Sequence, residues 1–316
     1  MGKRHSHKPR SLQLLEYLAL RAAVAVARLL PLKLLYAVCG TLGRLFYLGA
    51  ARRRAIALGN LRHAYSGTVE GKYLRVLARE SCSSFCFTAM EIIKLRLFLG
   101  NSAGTDDIAT YPQAIRDLFT KAKAIHDQSR GCIFVTPHLG NWELLPLVSS
   151  MVGIPLAVVV RPLDNPFLER MLYANRAANG HVVIPKRNAF FALQKLLQSG
   201  KSIGMLPDQS TKKGILVDFM GRKAMTTPIP AVLAVTHRRP VVVVACFRNR
   251  DTMDFEGFVS DPIWPASHYT SEKAEIIRIT EAIHREMETI IRLHPEQYLW
   301  MHDRWKAYRT KRQFLG

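Results

Sequence analysis

In the run Ile133-Phe-Val-Thr-Pro-His138-Leu-Gly-Asn-Trp-Glu143, an apolar, β-branched stretch halts at Pro137. A histidine follows at once, then four residues, then a carboxylate. Histidine changes charge near neutral pH, and a carboxylate on one ring nitrogen leaves the other ready to take a proton from a hydroxyl. Gly140 and Asn141 suit a loop and a helix start, and Trp142-Glu143-Leu-Leu suits a first helical turn. The spacing therefore predicts His138 and Glu143 together at the mouth of a strand-to-helix turn, where open α/β sheets place their chemistry. It equally suits a histidine that caps a turn near an unrelated glutamate.

Three further segments carry reactive side chains. Val158-Val-Val-Arg161-Pro-Leu-Asp-Asn165-Pro ends an apolar run on an arginine, which either forks a phosphate or carboxylate or is simply solvated. Ser202-Ile-Gly-Met-Leu-Pro207-Asp208-Gln209 is another strand that runs into a turn. Lys212-Lys213-Gly214 and Phe219-Met-Gly221 follow it, a composition suited to a loop that meets an anion. Taken alone, Asp208 there reads as a turn residue. Near the C-terminus, Tyr298, Trp300, His302, Arg304, Trp305 and Lys306 interleave rings and cations. They form either an aromatic-basic surface, for a membrane interface or nucleic acid, or an edge strand with its rings on the core.

The elements that must position these residues follow from periodicity. Strands are expected at Cys132–Pro137, Leu156–Arg161, Val182–Pro185, Ser202–Leu206 and Val241–Arg248. Helical patterns cover 70–99 and about 141–151, 165–179, 188–199, 228–238 and 271–293, with a loop at 100–110. This alternation predicts an α/β fold, a mostly parallel central sheet flanked by helices on both faces.

Ahead of that body, residues 1–10 are basic and polar and are expected to lack order. Leu12 to Ala51 is largely apolar, yet Glu16, Arg21, Arg28, Lys33 and Arg44 interrupt it. No charge-free window of roughly 18 residues remains for a clean transmembrane helix. Pro31 divides the stretch into helices at about 12–30 and 32–50. Arg21 and Arg28 share a face, as in a helix lying in a membrane interface with its arginines snorkelling. An ordinary amphipathic pair packed on the domain is the alternative. A secretory signal fits less well, because charges break the apolar core and no small-residue cleavage site follows.

Lys and Arg number 45 against 24 acids, a net charge of +21 over 316 residues. Such an excess points to anionic partners: nucleic acid, an anionic leaflet or an acidic carrier protein. The five cysteines are scattered with no CxxC pair, which favours buried thiols over disulfides or zinc.

As an ordered set these segments resemble the lipid A biosynthesis (lauroyl/myristoyl) acyltransferases, within the lysophospholipid/glycerolipid acyltransferase superfamily. His138-x4-Glu143 is similar to the superfamily's H-x4-D/E. Arg161-Pro-Leu-Asp-Asn165-Pro resembles the second block, and Pro207-Asp208-Gln209 through Gly221 and Thr226-Thr227 the third. Pro295 to Lys306 resembles the C-terminal signature, and Arg54, Asn60-Leu61 and Tyr65 the segment after the N-terminal helix. Asp303 stands where the family usually carries a basic residue, and Ile229 where it usually carries glycine.

The resemblance implies a basic tail and membrane-associating helices over 1–51 and a catalytic domain over 52–316. It implies acyl transfer from acyl carrier protein, or acyl-CoA, to a hydroxyl of a lipid A precursor or related glycolipid, at the cytoplasmic face of a bacterial inner membrane. No cofactor, metal or nucleic acid is expected. His138 would be the base and Glu143 the carboxylate that fixes it. Arg161, Asn165, Asp208, Gly221, Thr226 and Arg304 would meet substrate. Backbone N–H groups at Gly140 and Asn141, or Arg161, would receive the oxyanion. Other readings are a different acceptor (phosphoglycolipid, aminolipid or lysophospholipid), a hydrolase of the same fold and a basic nucleic-acid-binding protein.

Overall fold

The computed structural model describes residues 9–94, 113–149, 152–160, 163–171, 182–185, 189–249 and 254–306. Among the described residues, six strands form the central sheet: β1 (Ile133–Val135), β2 (Leu156–Val160), β3 (Val182–Pro185), β4 (Ser202–Met205), β7 (Val241–Arg248) and β8 (Phe255–Val259), in the order β3-β2-β4-β1-β7-β8. Every neighbouring pair is parallel except β7 and β8. The remaining two strands, β5 (Ile215–Phe219) and β6 (Arg222–Thr226), form a separate antiparallel hairpin.

β7 is buried along its whole length, as a strand covered on both faces must be. Its side chains alternate between two cores. Val241, Val243, Ala245 and Phe247 face one cluster, with Leu193, Leu233, Ile283 and Met287. Val242, Val244 and Cys246 face the other, with Leu118, Phe119, Leu144 and Phe255. The first cluster is covered by α7 (Ala189–Gln198), α8 (Ile229–His237) and α9 (Glu272–Leu293), the second by α5 (Gln113–Ser129) and α6 (Leu144–Ser149).

Before the sheet the chain forms α1 (Arg10–Leu29), α2 (Leu32–Gly49), α3 (Ala51–Ala64) and α4 (Gly71–Ile93). Pro31 parts α1 from α2 where the sequence placed the break. α2 lies tightly on α4: a Cβ on Gly43 would stand 2.4 Å from the Cα of Ser83. Outward, α1 and α2 expose leucines that a water-facing helix would not carry, with Leu29 at 85% and Leu48 at 65% exposure. No single helix among the described residues is long and apolar enough to cross a membrane. The pair α2–α3, bent by 93°, passes such a test only when taken together.

The strands keep to the expected segments: β3 and β7 have the expected bounds, and β1, β2 and β4 are shorter at their ends. Within the expected helix at 141–151, Leu144–Ser149 is helical and 141–143 is not, while 150 and 151 lie outside the described residues. Residues 1–8, the loop at 100–110 and Arg161 lie outside the described residues, as does the expected helix at 165–179 beyond residue 171. The loop expected to meet an anion is instead the β5–β6 hairpin. Its turn residues Met220 and Gly221 both have positive φ, 53° and 75°. That is the twist a two-residue hairpin turn requires, and glycine supplies it without strain.

Candidate active site

β1 and β4 end side by side. Their ladder pairs Val135 with Met205, so His138 and Asp208, each three residues further on, emerge as neighbours at the carboxyl end of the sheet. The Asp208 carboxylate grips His138 twice. Oδ1 accepts from ring Nδ1 at 2.7 Å and Oδ2 accepts from the backbone N–H at 2.8 Å. Two bonds from one buried carboxylate fix both the main chain and the ring. Asp208 is 1% exposed. Burial alone would push its pKa up. The charge of His138, the two hydrogen bonds and the Arg304 guanidinium outweigh burial and hold it at about 2. An ionised acceptor on Nδ1 makes Nδ1 the protonated nitrogen, so Nε2 presents its lone pair. The His138 side chain keeps 16% exposure. The Trp142 ring flanks the imidazole, centroids 5.1 Å apart.

The carboxylate bonded to the His138 ring is Asp208, where the sequence spacing pointed to Glu143. Glu143 is half-buried just ahead of α6. The sequence spacing pointed to it because it is near in the chain, whereas Asp208 arrives through strand pairing.

The turn 138–141 is clamped from behind. A Cβ on Gly140 (φ 61°) would stand 2.1 Å from the Cys246 carbonyl oxygen, so only glycine fits. Gly140 N–H donates to Gln297 O at 3.2 Å and Asn141 N–H to Cys246 O at 2.7 Å. Both groups were expected to receive the oxyanion, and both are spent on the fold. The Gly140 carbonyl accepts from Thr88 Oγ1 at 2.8 Å and from Arg248 Nη2 at 3.3 Å. Arg248 forms a buried ion pair with Glu91 and also donates to Ser84 Oγ at 2.7 Å and Thr88 Oγ1 at 2.6 Å. Asn141 Nδ2 donates to the other Glu91 oxygen at 2.8 Å. A charge pair on α4 and β7 thus holds the turn that carries His138.

The remaining expected site residues serve the frame. Asn165 accepts from the N–H groups of Phe167 and Leu168 and donates to Gln13 O at 2.8 Å, so it caps a helix start and ties it to α1. Gly221 sits at the hairpin turn, which Glu288 of α9 fastens through Met220 N–H. Thr226 is fully buried under Arg304. Arg304, 2% exposed, donates to Met225 O at 2.8 Å, Thr226 Oγ1 at 2.5 Å and Gln209 O at 3.4 Å. It also donates to Nε2 of His284, 3.3 Å away. Burial pulls the pKa of His284 down to about 4, with the Arg304 charge adding to it.

The aromatic-basic C-terminal segment is neither a surface patch nor an edge strand. Tyr298, Trp300 and Trp305 are buried, and the segment is a strap. Leu299 N–H donates to His138 O at 3.0 Å, and Asn60 and Ser81 hold the strap's carbonyls from α3 and α4. Gln209 and His302 were named in the sequence only as members of their segments and given no role. Gln209 Nε2 lies 3.0 Å from His138 Nε2. His302 Nε2 accepts from Ser210 N–H at 3.2 Å, and burial first, then the charges of His138 and Arg304, lower its pKa. Their place in the Pro207–Gln209 block and the C-terminal signature was the only signal.

The bacterial lipid A biosynthesis acyltransferase family matches residues 3–307. A phosphatidylinositol mannoside acyltransferase of Mycolicibacterium smegmatis is 24% identical over 186 residues, 57% of this chain and 59% of its own length. A lipid A biosynthesis acyltransferase of Haemophilus influenzae is 22% identical over 176 residues, 55% of this chain and 53% of its own. A lipid A biosynthesis palmitoleoyltransferase of Escherichia coli is 26% identical over 183 residues, 57% of each chain. The chain thus spans little more than half the length of the curated relatives it matches.

Proposed function

The chain belongs to the bacterial lipid A biosynthesis acyltransferase family, and from that premise we propose that it moves a fatty acyl chain from a thioester to a hydroxyl of a lipid A precursor or a related glycolipid. The observation that carries the chemistry is the His138–Asp208 pair, a buried carboxylate on Nδ1 of a histidine whose side chain is not fully buried. A hydroxyl seated on Nε2 attacks the thioester carbonyl carbon and gives its proton to the ring. Asp208 stays ionised and stabilises the imidazolium. The tetrahedral intermediate collapses, the C–S bond breaks, and the ring proton passes to the leaving sulfur. No acyl-enzyme is required. Asp208 takes the orienting part that the sequence spacing gave to Glu143.

Acyl carrier protein is the proposed donor, because it is acidic and this chain carries +21. The proposed place is the cytoplasmic face of a bacterial inner membrane. The exposed leucines of α1 and α2, interleaved with Arg10, Arg21, Arg28, Lys33 and Arg44, suit helices lying in an anionic interface.

The test incubates purified protein with acyl carrier protein thioester or acyl-CoA and a panel of lipid acceptors: lipid A precursor, phosphoglycolipid and lysophospholipid. Product is read by mass spectrometry. Transfer to the lipid A precursor that vanishes in His138→Ala is the expected result. Normal turnover by that variant refutes the mechanism, and exclusive acylation of another lipid reassigns the acceptor. Flotation with anionic vesicles checks the membrane placement, and failure to float refutes it.

A further inference from the structure

Nε2 of His138 is the atom that must receive the acceptor's proton, and in this structure it already has a partner. The Gln209 side-chain nitrogen lies 3.0 Å from it. In the neutral ring, Asp208 fixes the proton on Nδ1, so Nε2 accepts, and the group facing it is the amide NH₂ of Gln209, donating. The amide stands where a substrate hydroxyl would donate. It is held there from both sides of its own residue. Arg304 Nη1 donates to the Gln209 carbonyl at 3.4 Å, and the next amide, Ser210 N–H, donates to His302 at 3.2 Å. Asp208 is locked to His138 one residue before. With the backbone on either side pinned, only the side-chain torsions of Gln209 are free to swing the amide away.

We propose that Gln209 caps the catalytic base in the resting enzyme and yields Nε2 to the lipid acceptor but not to water. The proposal rests on the acyl-transfer reading above. Water is always present and would donate to Nε2 if that nitrogen were bare. An activated water would attack the thioester carbonyl, give its proton to Nε2 and release free fatty acid and thiol, which wastes the donor. The tethered amide competes with water at no translational cost, so it keeps the seat against a ligand that brings one hydrogen bond and nothing else. A lipid acceptor brings the binding energy of its remaining groups, and that surplus displaces the amide. The cap would thus make deprotonation conditional on acceptor binding.

Two measurements on Gln209→Ala and Gln209→Leu test this, the second variant keeping bulk while losing the donor. Gln209 is only partly buried, so both variants are expected to fold. The first uses resting enzyme without any substrate. The rate at which diethyl pyrocarbonate modifies His138 is resolved by mass spectrometry of the peptide that contains it. Loss of one neutral hydrogen bond should speed modification by about 2- to 10-fold in both variants. An unchanged rate in Gln209→Leu overturns the proposal. The second follows thioester consumption with and without acceptor. The ratio of hydrolysis to transfer should rise severalfold in both variants, and a ratio equal to wild type overturns it. A wild-type enzyme that transfers no acyl chain to any lipid refutes the acyl-transfer reading instead, while the modification rate still decides whether the cap exists.

Discussion

Replacing Arg248 with methionine removes one half of the buried charge pair behind the catalytic turn. The guanidinium is 6% exposed and the Glu91 carboxylate 0%. In the variant Glu91 keeps only Tyr36 Oη, at 2.9 Å, and Asn141 Nδ2, at 2.8 Å, as hydrogen-bond donors. Stranding one charge of such a pair costs about 3–5 kcal/mol, a large fraction of the ~5–15 kcal/mol by which domains are stable. At about 2–4 °C per kcal/mol, the thermal midpoint should fall by roughly 6–20 °C. The double variant Glu91→Gln/Arg248→Met removes both charges and keeps an amide whose oxygen accepts from Asn141 Nδ2 and whose NH₂ donates to the Tyr36 hydroxyl once that hydroxyl turns to accept. It should recover about half of the loss or more, because an uncharged pair has no desolvation cost to offset. Turnover should not recover with it, since Gly140 O still lacks the Arg248 contact that shapes the turn. Thermal unfolding in detergent and steady-state kinetics on the two single variants and the double variant make a complete cycle. Strictly additive single effects, or a fall of under ~1 kcal/mol for Arg248→Met, would refute this account of the pair.

Asp208→Asn should lower kcat by about 10³–10⁴-fold, the scale of losing a triad carboxylate, and Glu143→Gln should cost less; the reverse order in steady-state assays would return the orienting role to Glu143. Gly140→Ala should fail to accumulate as folded protein, because its Cβ would stand 2.1 Å from Cys246 O and no flexible side chain is there to yield. Acid should destabilise the fold through His284, whose folded pKa of about 4 lies below the ordinary ~6.5. The unfolded chain then binds the proton first, so stability is complete above about pH 6.5 and falls by about 3 kcal/mol as pH drops to about 4; urea midpoints at steps across that window should flatten in His284→Gln. Arg304→Lys keeps the charge and loses the planar fork. If Arg304 acts by positioning the Gln209 loop, kcat and the thermal midpoint should fall with KM unchanged, whereas a rise in KM alone would mark a substrate contact.

Much of the scaffold was legible because its strands are buried on both faces and therefore read as unbroken apolar runs: Val241 to Cys246 offers no polar residue to mislead. β8 was missed for the opposite reason. It is an antiparallel edge strand, short and partly exposed, and Phe255-Glu-Gly-Phe-Val lacks any such run. The hairpin escaped because its turn is Met220-Gly221, and methionine at positive φ is not a turn signal that sequence offers. His138 was legible from its place just past a strand end. Its partner was not, because the contact spans 70 positions in the chain and exists only through the β1–β4 ladder. The C-terminal rings and cations misled in another way. Alternating aromatics and arginines look like an interface, yet Asn60, Ser81 and Ser84 on α3 and α4 supply the polar partners that let the strap be buried.

How the site can move follows from where its backbone bonds go. His138 N–H is held by Asp208 and its carbonyl by Leu299; Leu139 N–H donates to Pro137 O; Gly140 is held through both its N–H and its carbonyl; Asn141 N–H is held by Cys246, and its carbonyl accepts from Leu144. Opening this turn would break several of these bonds at once, and Leu139, Gly140 and Asn141 are buried. A rearrangement of the main chain is therefore a costly way to admit substrate. The imidazole is fixed just as firmly, since Asp208 holds both the ring and the peptide that carries it. The side of the site that retains freedom is the one facing Nε2, and there the structure places a single neutral hydrogen bond from a partly exposed glutamine. Rigid positioning of the base and easy access to it are thus served by different parts of the molecule. The clamp of α4, β7 and the C-terminal strap provides the first, and the side-chain torsions of Gln209 provide the second.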